Sequence, residues 1–99
     1  MKQILFRGAA TALVTPMQPD GSLDLETLSR LTEWQIQSNI SALVPCGTTG
    51  EAATLTDEER FTVIQTVAKT AAGRVPVIAG AGCNDTARAE QNCLAAAAA

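Results

Sequence analysis

Two adjacent threonines, Thr48 and Thr49, stand between glycines in the segment Gly47-Thr48-Thr49-Gly50-Glu51, directly after an apolar run. A hydroxyl group both donates and accepts a hydrogen bond, so it can pass a proton along a chain of such groups. Ligands of α/β proteins bind beyond the carboxyl ends of the strands, where a turn can direct unpaired N–H groups at a carboxylate or phosphate. The segment therefore predicts an anion-binding loop. The alternative is an ordinary turn whose threonines satisfy neighbouring backbone groups.

The elements that must position this loop follow from the apolar periodicity. Continuous apolar runs predict parallel strands near residues 9–14, 41–45 and 75–80, adjacent in that order. Their starts lie roughly 33 residues apart, the length of one βα unit. Helices are predicted over 25–38 after Asp24, from a capping box at Thr56 onward, and after Asn84 or Asp85. The inward face of the second helix is predicted to consist of Phe61, Ile64, Ala68 and Ala71.

The bulk composition excludes several classes of protein. Hydrophobic residues make up 46% of the chain and charged residues 17%, and the net charge of −3 is dispersed, so we expect a globular protein that does not bind nucleic acid. No run reaches the roughly 18 apolar residues of a membrane span, and the first residues are too few and too polar for a signal peptide. A cytoplasmic location without a membrane partner is therefore expected.

The cysteines are predicted to be reduced thiols. Cys46, Cys83 and Cys93 are odd in number and form no C-x-x-C pair, and the chain has no histidine. This pattern argues against both a disulfide framework and a zinc site. No metal is therefore expected, and no histidine is present to activate a thiol as a nucleophile.

Five segments, taken in order, resemble a known family. They are Thr11-Ala12-Leu13-Val14-Thr15-Pro16, Ala42-Leu43-Val44, Gly47-Thr48-Thr49-Gly50-Glu51, Ala53-Thr54-Leu55 and Val75-Pro76-Val77-Ile78-Ala79-Gly80. Over residues 7–94 the chain resembles the amino-terminal part of the 4-hydroxy-tetrahydrodipicolinate synthase (dihydrodipicolinate synthase) family, which belongs to the pyruvate-dependent Schiff-base lyases. The resemblance implies an α/β fold with a parallel sheet, the first three βα units of a TIM (β/α)8 barrel. Residues 1–99 are then expected to form a partial barrel domain that is truncated inside its third helix.

The resemblance also implies a reaction and a site. Enzymes of this family join pyruvate to a lysine as a Schiff base and condense it with aspartate semialdehyde, on the route to lysine and diaminopimelate. By resemblance, Thr48 belongs to a proton relay and Thr49 binds the pyruvate carboxylate, with Gly47 and Gly50 as further substrate-binding residues. The Schiff-base lysine would lie beyond residue 99, no other cofactor is implied, and a homo-oligomer, dimer or tetramer, is expected.

The lysines present in this chain are predicted to be solvated surface charges. Lys2 precedes the first predicted strand and Lys69 lies off the inward face of the second helix. Neither is at a strand end, where burial could prepare an amine for imine formation. The 99-residue chain alone is therefore expected to have no lyase activity. Glu51 is expected to be structural, with its carboxylate accepting hydrogen bonds from loop amides.

Three other interpretations remain open at this point. Related pyruvate-dependent aldolases, of the N-acetylneuraminate lyase or ketodeoxysugar type, share the barrel and the imine chemistry. Many of them carry Ser-Thr between the two glycines, so Thr48 followed by Thr49 favours the dipicolinate branch. The second interpretation is a non-catalytic module that binds an anion at the loop. The third is a barrel fragment that folds by pairing its open edges with another copy.

The resemblance also bears on feedback inhibition, in which lysine inhibits some enzymes of this family. Lysine-sensitive members carry a serine where this chain has Ala52, histidines where it has Asp57 and Arg60, and a glutamate where it has Arg88. Only Asn84 matches. An arginine in place of that carboxylate would repel a cationic effector, so insensitivity to lysine is predicted.

Overall fold

Two parallel strands, β1 (Ala10–Ala12) and β2 (Ala42–Val44), form the sheet in a computed structural model that describes residues 3–99. In their register, Ala10 lies opposite Ala42 and Ala12 lies opposite Val44. β2 is the buried strand, since Ala42 and Leu43 are fully inaccessible to solvent. Because the strands are parallel, the residues that follow each of them meet at the same edge of the sheet.

The third predicted strand, 75–80, forms a single parallel bridge, between Val77 and Leu43. The N–H of Leu43 donates to the Pro76 carbonyl at 3.0 Å and that of Ile78 to the Leu43 carbonyl at 2.8 Å, so the segment lies beside β2 as predicted. The prediction of a full strand is wrong. Pro76 has no N–H to donate, and within residues 3–99 no strand pairs with the other edge of this segment, so a single incomplete ladder holds it.

Three helices follow the strand segments in turn, namely α1 (Leu25–Gln37), α2 (Asp57–Ala71) and α3 (Thr86–Ala98). Asp24 caps α1 by accepting from the Thr27 N–H, and Thr56 forms a capping box with Glu59 at the start of α2, both as predicted. Asp85, and not Asn84, caps α3. Within residues 3–99, no helix combines the length and the apolar character needed to cross a lipid bilayer.

The core joins the sheet to α1 and α2. Leu13, Leu28 and Leu43 lie at its centre, each at most 2% exposed. The buried residues of α2 are Val63, Ile64, Val67 and Ala71. The predicted inward face is therefore correct for Ile64 and Ala71 and wrong for Phe61 and Ala68, which are only half-buried. The helix is rotated so that its β-branched side chains fill the core, while Phe61 lies at the edge of that face and lines a cavity against α3.

Candidate functional site

The predicted anion-binding loop, residues 47–51, begins just beyond the carboxyl end of β2. It is built from two overlapping turns, in which the N–H of Gly50 donates to the Gly47 carbonyl at 3.1 Å and that of Glu51 to the Thr48 carbonyl at 3.0 Å. Among residues 3–99, the N–H and hydroxyl groups of Thr48 and Thr49 find no hydrogen-bond partner, and both side chains are exposed. The loop thus presents two N–H groups and two hydroxyl groups, a set that can bind a carboxylate.

The ordinary-turn alternative requires the threonine hydroxyls to satisfy neighbouring backbone groups. Other threonines of this chain do so: Thr54 donates to the Glu51 carbonyl at 2.8 Å, and Thr66 donates to the Thr62 carbonyl at 2.7 Å. Within the described residues, Thr48 and Thr49 make no such bond. Their hydroxyl groups therefore remain available to a ligand.

Two residues at the ends of the loop have a left-handed conformation. Cys46, which precedes the loop, has a φ of 59°, and Glu51, its last residue, has a φ of 58°. This conformation costs a non-glycine residue roughly 1 kcal/mol or more, which the surrounding packing must offset. The glycines of the loop serve another purpose, since neither Gly47 nor Gly50 has a positive φ. A Cβ atom on Gly50 would lie 3.0 Å from both the Leu13 carbonyl oxygen and the Thr15 hydroxyl oxygen. The chain just beyond β1 therefore leaves little room for a side chain at Gly50.

Neighbouring segments hold the loop from both sides. On the β1 side, the buried hydroxyl of Thr15 donates to the Gly50 carbonyl at 2.7 Å. On the other side, the N–H of Gly80 donates to the Pro45 carbonyl at 2.8 Å, and a Cβ atom on Gly80 would overlap the carbonyl group of Cys46. The sequence singled out neither Thr15 nor Gly80 as a site residue. The feature that could have identified them is their position, because each lies at the carboxyl end of a segment next to β2.

Cys46 is buried, and its thiol lies 3.8 Å from the carbonyl oxygen of Arg60. Burial raises the pKa of the Cys46 thiol to about 11, against a smaller opposing effect of the Arg60 charge. The thiol is therefore protonated at neutral pH and is not an activated nucleophile. Cys46, Cys83 and Cys93 are all free thiols, as predicted.

The other charged residues singled out from the sequence lie as follows. Lys69 is exposed on α2, as predicted for a solvated surface charge, whereas Lys2 lies outside the described residues. The carboxylate of Glu51 accepts no hydrogen bond from residues 3–99, so the expectation that it binds loop amides is not met. Glu51 contributes through its backbone, because its carbonyl accepts from the N–H of Thr54 at 2.9 Å and leads the chain into the short 3₁₀ helix Ala52–Thr54.

An open cleft of about 650 Å³ lies beside the loop. Thr48 lines this cleft, and so do four of the five residues compared above with a feedback site, all except Asp57. Arg88 also approaches the carboxylate of Asp57 at 3.5 Å, an exposed and therefore weak ion pair. Residues lining the cleft include Gly47, Thr48, Ala52, Arg60, Gly80, Asn84 and Arg88.

Parallel strand segments linked by helices, with unpaired N–H and hydroxyl groups at their carboxyl edge, are typical of α/β proteins, whose ligands bind at that edge. The sequence profile of the Dihydrodipicolinate synthetase family matches residues 5–99. The chain belongs to this family.

Named relatives agree with this assignment. The 4-hydroxy-tetrahydrodipicolinate synthase of Ruegeria pomeroyi is 59% identical over 85 residues, which are 86% of this chain and 29% of that enzyme. The chain thus spans less than a third of the length of this relative.

Solved structures show the same fold. The chloride-inhibited dihydrodipicolinate synthase of Acinetobacter baumannii, in complex with pyruvate, superposes with a TM-score of 0.90 at 43% identity, covering 92% of this chain and 31% of that one. The N-acetylneuraminate lyase of Mycoplasma synoviae superposes with a TM-score of 0.80 at 27% identity, covering 88% and 30%. The predicted fold class, the first βα units of a TIM barrel, is confirmed.

Proposed function

We propose that this chain is the amino-terminal part of a lyase that condenses pyruvate, held as a lysine Schiff base, with aspartate semialdehyde. The product would be 4-hydroxy-tetrahydrodipicolinate, in the biosynthesis of lysine and diaminopimelate. The observation that carries the proposal is the pair of unpartnered N–H and hydroxyl groups at Thr48 and Thr49, at the carboxyl end of β2. Among the solved structures, the higher identity to the Acinetobacter baumannii dihydrodipicolinate synthase, 43% against 27% for the N-acetylneuraminate lyase, supports the dipicolinate branch.

In this proposal the two threonines have different tasks. Thr49 binds the pyruvate carboxylate through its hydroxyl and its N–H, and charge-assisted bonds of this kind are the stronger ones. The Thr48 hydroxyl transfers protons, for which it must donate and accept in turn. Gly47 and Gly50 bring the backbone close to the carboxylate. The lysine that forms the imine is proposed to lie outside this chain, so that the 99-residue chain alone is inactive.

Exposed apolar side chains support a larger assembly around the described residues. Ile4 and Leu5 near the start of the chain are 60% and 64% exposed, and Leu94 on α3 is 68% exposed. Val14, directly after β1, is 52% exposed. Covering such side chains is favourable, because each Å² of apolar surface removed from water contributes roughly 25 cal/mol. We propose that further βα units cover them, with residues 1–99 as a partial barrel domain, and that the complete enzyme is a cytoplasmic homo-oligomer, dimer or tetramer.

A chimera tests the proposal. In it, this chain replaces the matching segment of the Ruegeria pomeroyi enzyme. We expect the chimera to consume pyruvate and aspartate semialdehyde, and Thr49→Val to raise the KM for pyruvate on the order of tenfold, because a bond to a charged group is lost. Thr70→Val is the control, since the Thr70 hydroxyl bonds only to the Thr66 carbonyl within α2. A folded but inactive chimera, or an unchanged KM in Thr49→Val, contradicts the proposal.

Lysine is expected not to inhibit the chimera. The guanidinium group of Arg88 lines the cleft, where the resemblance implies that lysine-sensitive enzymes carry a carboxylate. Two like charges repel, and no carboxylate remains at this position to bind the amine of the effector. The measurement is a lysine titration under steady-state conditions, with the intact Ruegeria pomeroyi enzyme titrated in parallel. Inhibition at sub-millimolar lysine would show that the effector binds other groups.

A further inference from the structure

We infer that Thr15 is a positioning residue for the carboxylate-binding loop, an inference that rests on the function proposed for that loop. Thr15 lies just beyond β1 and is 7% exposed. Its hydroxyl donates to the carbonyl oxygen of Gly50 at 2.7 Å, across 35 positions of sequence. It therefore links the carboxyl end of β1 to the loop that follows β2.

The bond acts on the peptide group that closes the loop. In the Gly50–Glu51 peptide group, the Gly50 carbonyl accepts from the Thr15 hydroxyl and the Glu51 N–H donates to the Thr48 carbonyl at 3.0 Å. Gly50 is itself buried, so its carbonyl has no solvent to replace the Thr15 hydroxyl. Without that hydroxyl the carbonyl must rotate to find another donor, since a buried and unpaired carbonyl is unfavourable.

Rotation of the Gly50–Glu51 peptide would release the Thr48 carbonyl from the Glu51 N–H. The Thr48 carbonyl shares its peptide group with the Thr49 N–H, so the direction of this substrate-binding N–H would change. The turn from Gly47 to Gly50 contains both Thr48 and Thr49, whose N–H groups have no partner within residues 3–99. Their alignment therefore depends on the closure of the turn, and a loop that samples several conformations binds a carboxylate less tightly.

Loss of the Thr15 hydroxyl should therefore weaken pyruvate binding more than it slows the chemical step. In the chimera, Thr15→Val keeps the shape of the side chain and removes the hydroxyl. We expect it to raise the KM for pyruvate about tenfold with a smaller change in kcat. Thr15→Ser keeps the hydroxyl and is expected to retain a KM close to that of the unsubstituted chimera.

Thr32→Val is the matched control. Thr32 is also buried, at 0% exposure, and its hydroxyl also donates to a backbone carbonyl, that of Leu28 at 2.8 Å. This bond lies inside α1, so its loss should lower the thermal midpoint by an amount similar to Thr15→Val and leave the KM unchanged. An equal rise of KM in Thr32→Val, or an unchanged KM in folded Thr15→Val, would overturn the inference.

Other outcomes are also decisive. If Thr15→Val does not fold, Thr15→Ala is measured in the same way, because the smaller side chain cannot clash. If neither variant folds, Thr15 is a structural residue and the inference fails. If Thr49→Val raises the KM but Thr15→Val does not, only this inference is wrong. If Thr49→Val has no effect, the function proposed for the loop is itself wrong.

Discussion

Replacing Thr48 by valine in the chimera is expected to lower kcat by roughly 10²-fold or more, the usual worth of a group that transfers a proton in the transition state. Valine has nearly the shape of threonine but can neither donate nor accept a proton. The Thr48 side chain is exposed and bonds to nothing else within residues 3–99, so the substitution removes no contact that the fold needs. Steady-state kinetics and the thermal midpoint, measured together, separate the loss of chemistry from a loss of folded protein.

Thr48→Ser is the companion variant. It restores the hydroxyl without the methyl group and is expected to recover most of the turnover. The pattern across the loop is informative as well, because Thr48→Val should act mainly on kcat and Thr49→Val mainly on the KM for pyruvate. Near-normal kcat in Thr48→Val would mean that the loop binds an anion without taking part in proton transfer.

Replacing Gly80 by alanine is expected to be strongly destabilising, because the new methyl group would overlap the backbone carbonyl of Cys46. A backbone carbonyl cannot rotate away as a side chain can, so the two segments must separate. Overpacking of this kind costs about 3 kcal/mol, which corresponds to a fall of roughly 5 °C or more in the thermal midpoint of the chimera. Separation would also displace Gly47, whose nitrogen lies 2.9 Å from the position of that methyl group, and should raise the KM for pyruvate.

Gly82 offers a control two residues away. A Cβ atom there would have no neighbour within 4 Å, and its φ is not positive. Gly82→Ala is therefore expected to leave the thermal midpoint and the KM essentially unchanged. If Gly80→Ala behaves like Gly82→Ala, the close approach of the third segment to the loop is not needed for either stability or binding.

The location of the candidate site was predictable from the sequence, and its geometry was only partly so. Thr48 and Thr49 lie at the carboxyl end of a buried strand, as the apolar run before them indicated. The role of the glycines was harder to predict from the sequence. Gly50 lies in close contact with the end of β1 and does not have a left-handed conformation. The left-handed conformation belongs to Cys46 and Glu51, residue types that carry no such signal.

The third strand shows a different limit on what could be predicted from the sequence. Its apolar run and its place beside β2 were predicted correctly, whereas its length was not. A strand exists only through hydrogen bonds to its neighbours. Within the described residues this segment has one neighbour, β2, and Pro76 removes one donor from the ladder between them. The composition of a segment does not report how many of its backbone groups will find partners.

By itself the sequence determined what depends on neighbours within a few positions. The side chains of Asp24 and Thr56 cap their helices by accepting from N–H groups three residues further along the chain. The start of each helix could therefore be predicted from a short stretch of sequence. Only the tertiary structure decided what depends on distant partners. The Thr15 hydroxyl meets Gly50 across 35 positions, and Gly80 packs against Cys46, because parallel strands bring their carboxyl ends to one edge of the sheet. Contacts of this kind arise from strand register and close packing, which no local pattern of residues encodes.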